Sequence, residues 1–473
     1  MEGTGRYDGS SRFPKASRWG FFPSVSGAWI VSNESFFESL KPKVSNLKLR
    51  ASYGSLGNQN VGDFSYIQTM GTSLSGYLIN GNQQYVVNGA PPLTIDPNSY
   101  TWENVSTLNF GADLGLFNDK FFVGYDNYIR NTTGMLTAGQ ELPGVLGTSV
   151  PRQNAADLRT KGWELSVTYK DQFELANKPF SFDAKVVLSD SRAKITKFKN
   201  DERLLSTYFN GYEFGSIYGL QGDGLFKSAD EIKALDESGI VPWGALNIVN
   251  GWPKFKDIDG NGKIERGLTE TNLKDLQVIG NSADRYRIGF NLNMNWGGFD
   301  ASVFLQGVLK RDFYPRHYLF WGPYQQPYAN IYPWHLDFYR ETSDTAEERA
   351  KHSQAYLNAG LADANHDARY PVLQSWLADV NDGKGLAIPN TQYMLNGSYL
   401  RLKNITFGYT LPHELLEKWK IQRLRIFFSG ENLFEFSQIK KYVDPEAINN
   451  GTDGSAWAYP FQRKFSVGLN LDF

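Results

Sequence analysis

The sequence predicts an all-β protein: about twelve antiparallel strands forming part of a transmembrane β-barrel with long extracellular loops. Three observations predict it. Apolar and polar residues alternate with a period of two along most of the chain, which is the signature of a strand with one apolar face. Short and long connections follow one another without a break. Aromatic residues reach 15% of the 473 residues, whereas no apolar run approaches the roughly 18 residues that a membrane helix needs.

The strands can be read in order. A short one is expected before Tyr7. Trp19, Phe21, Pro23, Val25 and Trp29 then alternate with Gly20, Ser24, Ser26 and Ala28, and Leu47, Leu49, Ala51 and Tyr53 alternate with Lys48, Arg50, Ser52 and Gly54. Leu108 to Leu116, Phe121 to Ile129, Trp163 to Tyr169 and Phe180 to Leu188 repeat the pattern. The clearest case sets Tyr286, Ile288, Phe290, Leu292, Met294 and Trp296 against Arg287, Gly289, Asn291, Asn293 and Asn295. Phe299 to Leu309, Ile405 to Leu411 and Leu424 to Phe428 follow. The last strand, Phe461 to Phe473, puts Phe465, Val467, Leu469, Leu471 and Phe473 on one face and Lys464, Ser466, Gly468, Asn470 and Asp472 on the other. At roughly 9–11 residues a tilted strand crosses a bilayer, and this one is long enough.

The connections decide between a barrel and a soluble sandwich. Phe117-Asn118-Asp119, Asp171 to Asn177, Gly297-Gly298 and Pro412 to Lys420 are short. Ser55 to Trp102, Asn131 to Ala156, Asn200 to Ala283, Lys310 to Ser398 and Glu435 to Pro460 are long. Both ends of a sandwich face the same solvent, so it has no reason to alternate. An outer-membrane barrel has short periplasmic turns and long external loops. Counted back from the tight turns, the last strand runs inward and leaves Phe473 at the periplasmic rim.

Composition narrows the function. Net charge is −2 with no long basic run, so nucleic acid is not an expected partner. Cysteine is absent, which removes disulfides and thiolate metal sites. The five histidines, His317, His335, His352, His366 and His413, show no metalloprotease spacing, and neither a nucleophile elbow nor a P-loop is present, so no enzyme is expected. Met1 to Gly5 lacks the basic and apolar regions of a signal peptide, which an outer-membrane protein requires.

Several stretches resemble SusC/RagA-type TonB-dependent transporters of the Bacteroidetes outer membrane. They are Arg6 to Phe13, Phe22 to Ser26, Leu47 to Gly54, Ser398 to Tyr409, Gly430-Glu431-Asn432-Leu433 and the terminal strand. The resemblance implies proton-motive-force-driven import of oligosaccharides or peptides, a TonB complex, a SusD-like lipoprotein lid and a 22-stranded barrel around a plug. Only the C-terminal part of such a barrel is matched across residues 1–473, with the plug and roughly ten strands lacking. The chain alone is therefore not expected to transport, because unpaired strand edges are not tolerated in lipid. A soluble or surface carbohydrate-binding β-protein and a passive porin or adhesin barrel are the rival readings.

Asp257-Ile258-Asp259-Gly260-Asn261-Gly262-Lys263-Ile264-Glu265 reads as the start of an EF-hand-like calcium loop. Asp257, Asp259, Asn261, the Lys263 carbonyl and Glu265 supply oxygens to a hard cation, with Gly262 at the sharp bend. Leu268 stands where the closing carboxylate belongs; the resemblance implies that Asp275 closes the loop after an insertion. An Asx-rich surface turn without an ion accounts for the same residues. In Phe313 to Tyr339, the rings of Trp321, Tyr324, Tyr328 and Trp334 suit sugar stacking or lid contact, or packing of the loop on itself. Trp243 and Trp252 share that ambiguity. Glu347, Glu348, Arg349 and Lys351 suggest a short exposed helix. The resemblance further implies that Phe465, Val467, Leu469, Leu471 and Phe473 form an assembly signal for outer-membrane insertion.

Overall fold

A computed structural model describes the chain except residues 64–65, 68–71, 80–81, 88–99, 140–144, 146–149, 151, 243–246, 379–382 and 449–457, and describes 72–79 and 82–87 by backbone alone. Twelve strands form one sheet in chain order. They are β1 (Glu2–Gly9), β2 (Trp19–Ile30), β3 (Val44–Asn58), β4 (Glu103–Leu116), β5 (Phe121–Ala138), β6 (Arg152–Leu175), β7 (Lys178–Lys197), β8 (Arg285–Trp296), β9 (Phe299–Lys310), β10 (Tyr399–Thr410), β11 (Arg423–Ser437) and β12 (Lys464–Asp472). Among the described residues no helix is long and apolar enough to cross a membrane. The chain divides into two compact units, Met1–Phe173 with Ser181–Phe214, and Glu174–Phe180 with Gly215–Phe473.

In the first unit the apolar face is exposed: Trp19, Phe21, Val25, Leu49, Tyr53, Phe110 and Tyr125 all present rings or branched chains outward. On the opposite face Arg50 of β3 reaches over β4 to Asp126 of β5 at 2.9 Å and also pairs with Asp113 at 3.0 Å. Gly111 lies directly between them in register, and a Cβ there would stand 2.5 Å from Asp126 Oδ1. A glycine is thus what lets one ion pair span three strands. The turn Phe117-Asn118-Asp119 has three consecutive positive φ values, with Asp119 held by the Ser45 hydroxyl at 2.7 Å.

The β5–β6 pair runs further than the sequence suggests. The connection expected from Asn131 to Ala156 shrinks to residues 139–151, because the ladder continues to Ala138 opposite Arg152. A bulge at Thr132 to Leu136, containing Gly134 at φ 64, interrupts the register, and around it Met135, Ala155 and Ala156 pack with Ile195 and Phe198.

In the second unit β8 and β9 meet through Gly297-Gly298, both at positive φ as a two-residue hairpin requires. Ile288, Phe290, Leu292, Met294 and Trp296 share a face, opposite Gly307, Leu305, Val303, Ala301 and Phe299. Tyr286, expected in the same row, has no partner in the ladder and sits at φ 54, although the register is the same on either side of it. The last strand also begins later than expected. Phe461 leaves it to lie over Arg401 and Lys403, at 5.2 and 4.5 Å from their charges, and its N–H donates to Asp444 Oδ2 at 3.1 Å. The expected helix is Ala346–Arg349, closed at its start by reciprocal bonds between Thr345 and Glu348.

Connections 215–284, 311–398 and the start of 438–463 share one aromatic core, in which Phe226, Trp252, Phe320, Tyr370, Tyr393 and Ile439 are buried. Apolar residues placed in loops, rather than in the sheet, therefore build the only large dry cluster among the described residues of this unit.

Candidate functional site

The Asp257–Glu265 loop is shaped by its own carboxylates. Asp257 Oδ1 accepts from Gly260 N at 2.7 Å and Oδ2 from Gly262 N at 2.7 Å, while Asp259 Oδ1 accepts from Asn261 N at 3.1 Å. The Gly262 N–H, above all, holds the Asp257 carboxyl below its ordinary pKa. Gly260 and Gly262 take positive φ and keep the loop tight. The insertion after Glu265 is a hairpin, Arg266–Thr269 against Asn272–Lys274, that returns the chain to the loop. It leaves Leu268 exposed and delivers Asp275, which is buried and accepts from Ile258 N and Glu265 N, each at 2.7 Å.

One carboxylate oxygen from each of Asp257, Asp259 and Asp275 lies within 4.8 Å of the others. Asn261 Nδ2 donates to Asp259 at 3.1 Å, and the Lys263 backbone pairs with Asp236, whose N–H donates to Gly262 O at 2.9 Å. Glu265 is drawn to Lys274 at 2.9 Å, which lowers its pKa. The three carboxylates form an all-oxygen set that fits a hard divalent cation, while Asn261 Oδ1 accepts from Lys263 N at 2.8 Å. Glu265 faces a competing ammonium.

Of the four aromatic candidates, three lie inside the loop core. Trp321 is 1% exposed and donates from Nε1 to Pro315 O at 2.8 Å; Tyr324 is 0% exposed and donates to Pro371 O at 2.9 Å. Trp334 packs on the same cluster and donates to Leu319 O at 3.0 Å. Their polar atoms are already satisfied by backbone carbonyls, so in this arrangement they hold the loops together. Tyr328 is 74% exposed and meets Trp376 edge-on at 6.4 Å. Trp252 is buried in the core, and Trp243 lies outside the described residues. Phe465, Val467, Leu469 and Leu471 line one exposed face of β12, with Phe473 just beyond it.

Three features escaped the sequence reading. Arg401, almost wholly buried, pairs with Glu435, with Asp444 at 2.7 Å and with Glu446 at 3.1 Å, and Lys403 reaches Glu446 at 3.0 Å. This network ties the connection after β11 to β10; no motif announces it, because its partners lie far apart in sequence. Glu237, 0% exposed, accepts from Phe255 N at 2.9 Å through one oxygen, while the other has no hydrogen-bond partner. Burial pushes its carboxyl up to about 8. His317 is likewise buried, stacked on Phe313 with neither ring nitrogen hydrogen-bonded, and burial pushes it down to about 4.

No established family profile matches the chain. Curated relatives do: TonB-dependent receptor P3 of Formosa agariphila is 26% identical over 505 residues, covering 99% of this chain and 43% of that protein. TonB-dependent receptor SusC of Bacteroides thetaiotaomicron is 27% identical over 484 residues, covering 99% and 42%. The chain thus spans less than half the length of the curated relatives it matches. The solved RagAB peptide transporter superposes with a TM-score of 0.70 at 21% identity, over 100% of this chain and 45% of that one, and at that identity the likeness establishes the fold. Both of these relatives are named as TonB-dependent receptors. Over its full length the chain is thus similar to TonB-dependent receptors of the SusC type, and its fold is that of the matching part of the solved RagAB peptide transporter.

Proposed function

We propose that the chain is the C-terminal barrel portion of a TonB-dependent importer of oligosaccharides or peptides, acting with a SusD-like lipoprotein over its external mouth. The observation that carries this reading is the asymmetry of the connections. Tight turns close one end of the strands, while at the other end described residues of connections 215–284, 311–398 and the start of 438–463 fold onto one buried aromatic core. Such a platform costs much ordered chain, and it supplies what a passive pore does not need: a fixed external surface for a ligand or a lid. Tyr328, exposed beside Trp376, is the candidate contact on it.

The proposal includes calcium at Asp257, Asp259, Asn261, Lys263 and Asp275 as a structural ion of this platform. When bound it would neutralise three carboxylates now crowded within 4.8 Å. Asp257→Ala with Asp259→Ala should abolish calcium-dependent heat in calorimetry and raise protease cleavage within 215–284; no calcium-dependent heat in the parent protein would leave the loop a turn.

Uptake is tested in whole cells carrying a deletion of the gene, supplied with labelled oligosaccharide or peptide mixtures. Accumulation should fall in the deletion and collapse on adding a protonophore. Uptake that persists with the protonophore would favour a passive pore and refute TonB coupling.

A further inference from the structure

We propose that a basic pocket on the outward face of β5, β6 and β7 binds the phosphorylated headgroup of an outer-leaflet lipid. The inference rests on the barrel reading, with the long connections external. The pocket has a volume of about 600 Å³ and is lined by Asn127, Arg159, Lys161, Trp163, Arg192 and Lys194.

Its height in the membrane follows from the strands. Along β6 the side chains on this face run Asp171, Tyr169, Val167, Leu165, Trp163, Lys161 and Arg159. Asp171 pairs with Lys120 at 2.6 Å at the end nearer the tight turns. The apolar stretch from Tyr169 to Trp163 follows, and the bases begin immediately beyond it. Along β7, Phe182, Ala184, Val186 and Leu188 give way to Asp190, Arg192 and Lys194. Aromatic residues mark both interfaces of a barrel, so Trp163 stands at the outer boundary and the bases occupy the headgroup layer above it.

Their arrangement is electrostatically unfavourable unless something negative joins them. Ala176 and Asn177, at φ 51 and 58, form a two-residue turn between β6 and β7. Counted in equal steps from that turn along the two neighbouring strands, Lys161 falls opposite Arg192 and Arg159 opposite Lys194, and all four line the same pocket. Like charges directly opposite each other destabilise a sheet. Glu213 pairs with Lys194 at 3.1 Å and Asp190 also lines the pocket, so the acidic groups offset only part of the charge. Arg159 donates from Nε to Asn131 Oδ1 at 2.9 Å, which fixes one guanidinium at the rim. Arginine offers planar paired donors to phosphate oxygens and lysine a point charge, and the adjoining apolar wall accepts acyl chains. A free anion would use the bases but not that wall, which is why a membrane lipid is the occupant.

The test uses full-length protein extracted from outer membranes in neutral detergent, with heat-modifiability on gels confirming a folded barrel. Thermal unfolding is followed on titration with bis-phosphorylated lipid A, with its dephosphorylated form and with inorganic phosphate. Only the phosphorylated lipid should raise the unfolding temperature. Lys161→Gln with Arg192→Gln, and Arg159→Gln with Lys194→Gln, should each weaken its apparent affinity on the order of tenfold or more. All four substitutions together should remove the shift and leave the lipid-free unfolding temperature unchanged or higher. An equal shift in the four-substitution variant, or with dephosphorylated lipid, would overturn the phosphate role; an equal shift with inorganic phosphate would overturn the lipid. If the fourfold variant does not fold, the pairwise variants decide the question. Absence of heat-modifiability in the parent protein would refute the barrel reading itself, and this proposal with it.

Discussion

Replacing Phe290 by arginine puts a charge on the apolar face of β8, between Ile288 and Leu292 and opposite Leu305 of β9. Its depth can be worked out. Trp296, six positions further on, stacks with Phe299 beside the Gly297-Gly298 turn and marks one interface. Six residues at ~3.3 Å each, tilted by roughly 40°, set Phe290 about 15 Å from that interface, near the middle of the apolar slab. A basic side chain at that depth costs about 2–4 kcal/mol, which moves a folding equilibrium by roughly 30- to 1000-fold. Asn291→Arg, one residue away, points to the other face opposite Phe304 and should stay within about 0.5 kcal/mol of the parent. Both variants are refolded into lipid vesicles and unfolded in urea, with tryptophan fluorescence and heat-modifiability as readouts. Equal destabilisation at the two positions, or a larger loss at Asn291, would refute the register and the membrane-facing assignment with it.

Gly408→Ala would place a Cβ 2.5 Å from Asp300 Oδ1 and 2.6 Å from Arg425 Nε, breaking the ion pair that crosses β10. It should cost about 1–3 kcal/mol, and most of that loss should disappear when Asp300→Asn and Arg425→Gln are already present. Trp321→Ala should destabilise the loop core by about 3–5 kcal/mol, seen as early proteolysis within 311–398, whereas Tyr328→Ala should leave stability within about 0.5 kcal/mol. Glu237 gives a pH signature. Its folded pKa, about 8, lies above its ordinary value of 4.5, so the folded state holds the proton more tightly. Its contribution to stability should therefore be complete below about 4.5 and be lost as pH rises towards about 8, so that between those values Glu237→Gln should differ from the parent by that slope in urea unfolding.

The sequence by itself determined the sheet. Strand periodicity is local, since successive side chains must point to opposite faces, so Ile288 to Trp296 declares its register without help from the rest of the chain. Turn chemistry at Gly297-Gly298 and the spacing of Asp257, Asp259 and Asn261 are local for the same reason. Asp275 was legible only through the family resemblance, because the hairpin inserted before it breaks the spacing of the loop. Tertiary structure alone decided the rest. Whether Trp321 and Tyr324 meet ligand or bury themselves depends on Tyr370, Tyr393 and Ile439, which arrive from other connections. Phe461 looked like one more apolar strand residue, yet it caps Arg401 and Lys403, whose carboxylate partners lie in β11 and the connection after it. Exposed aromatic residues in loops carry no periodicity, and ion pairs across distant segments leave no spacing to read. Such features are fixed by which surfaces fold against each other, and a one-dimensional pattern does not contain that choice.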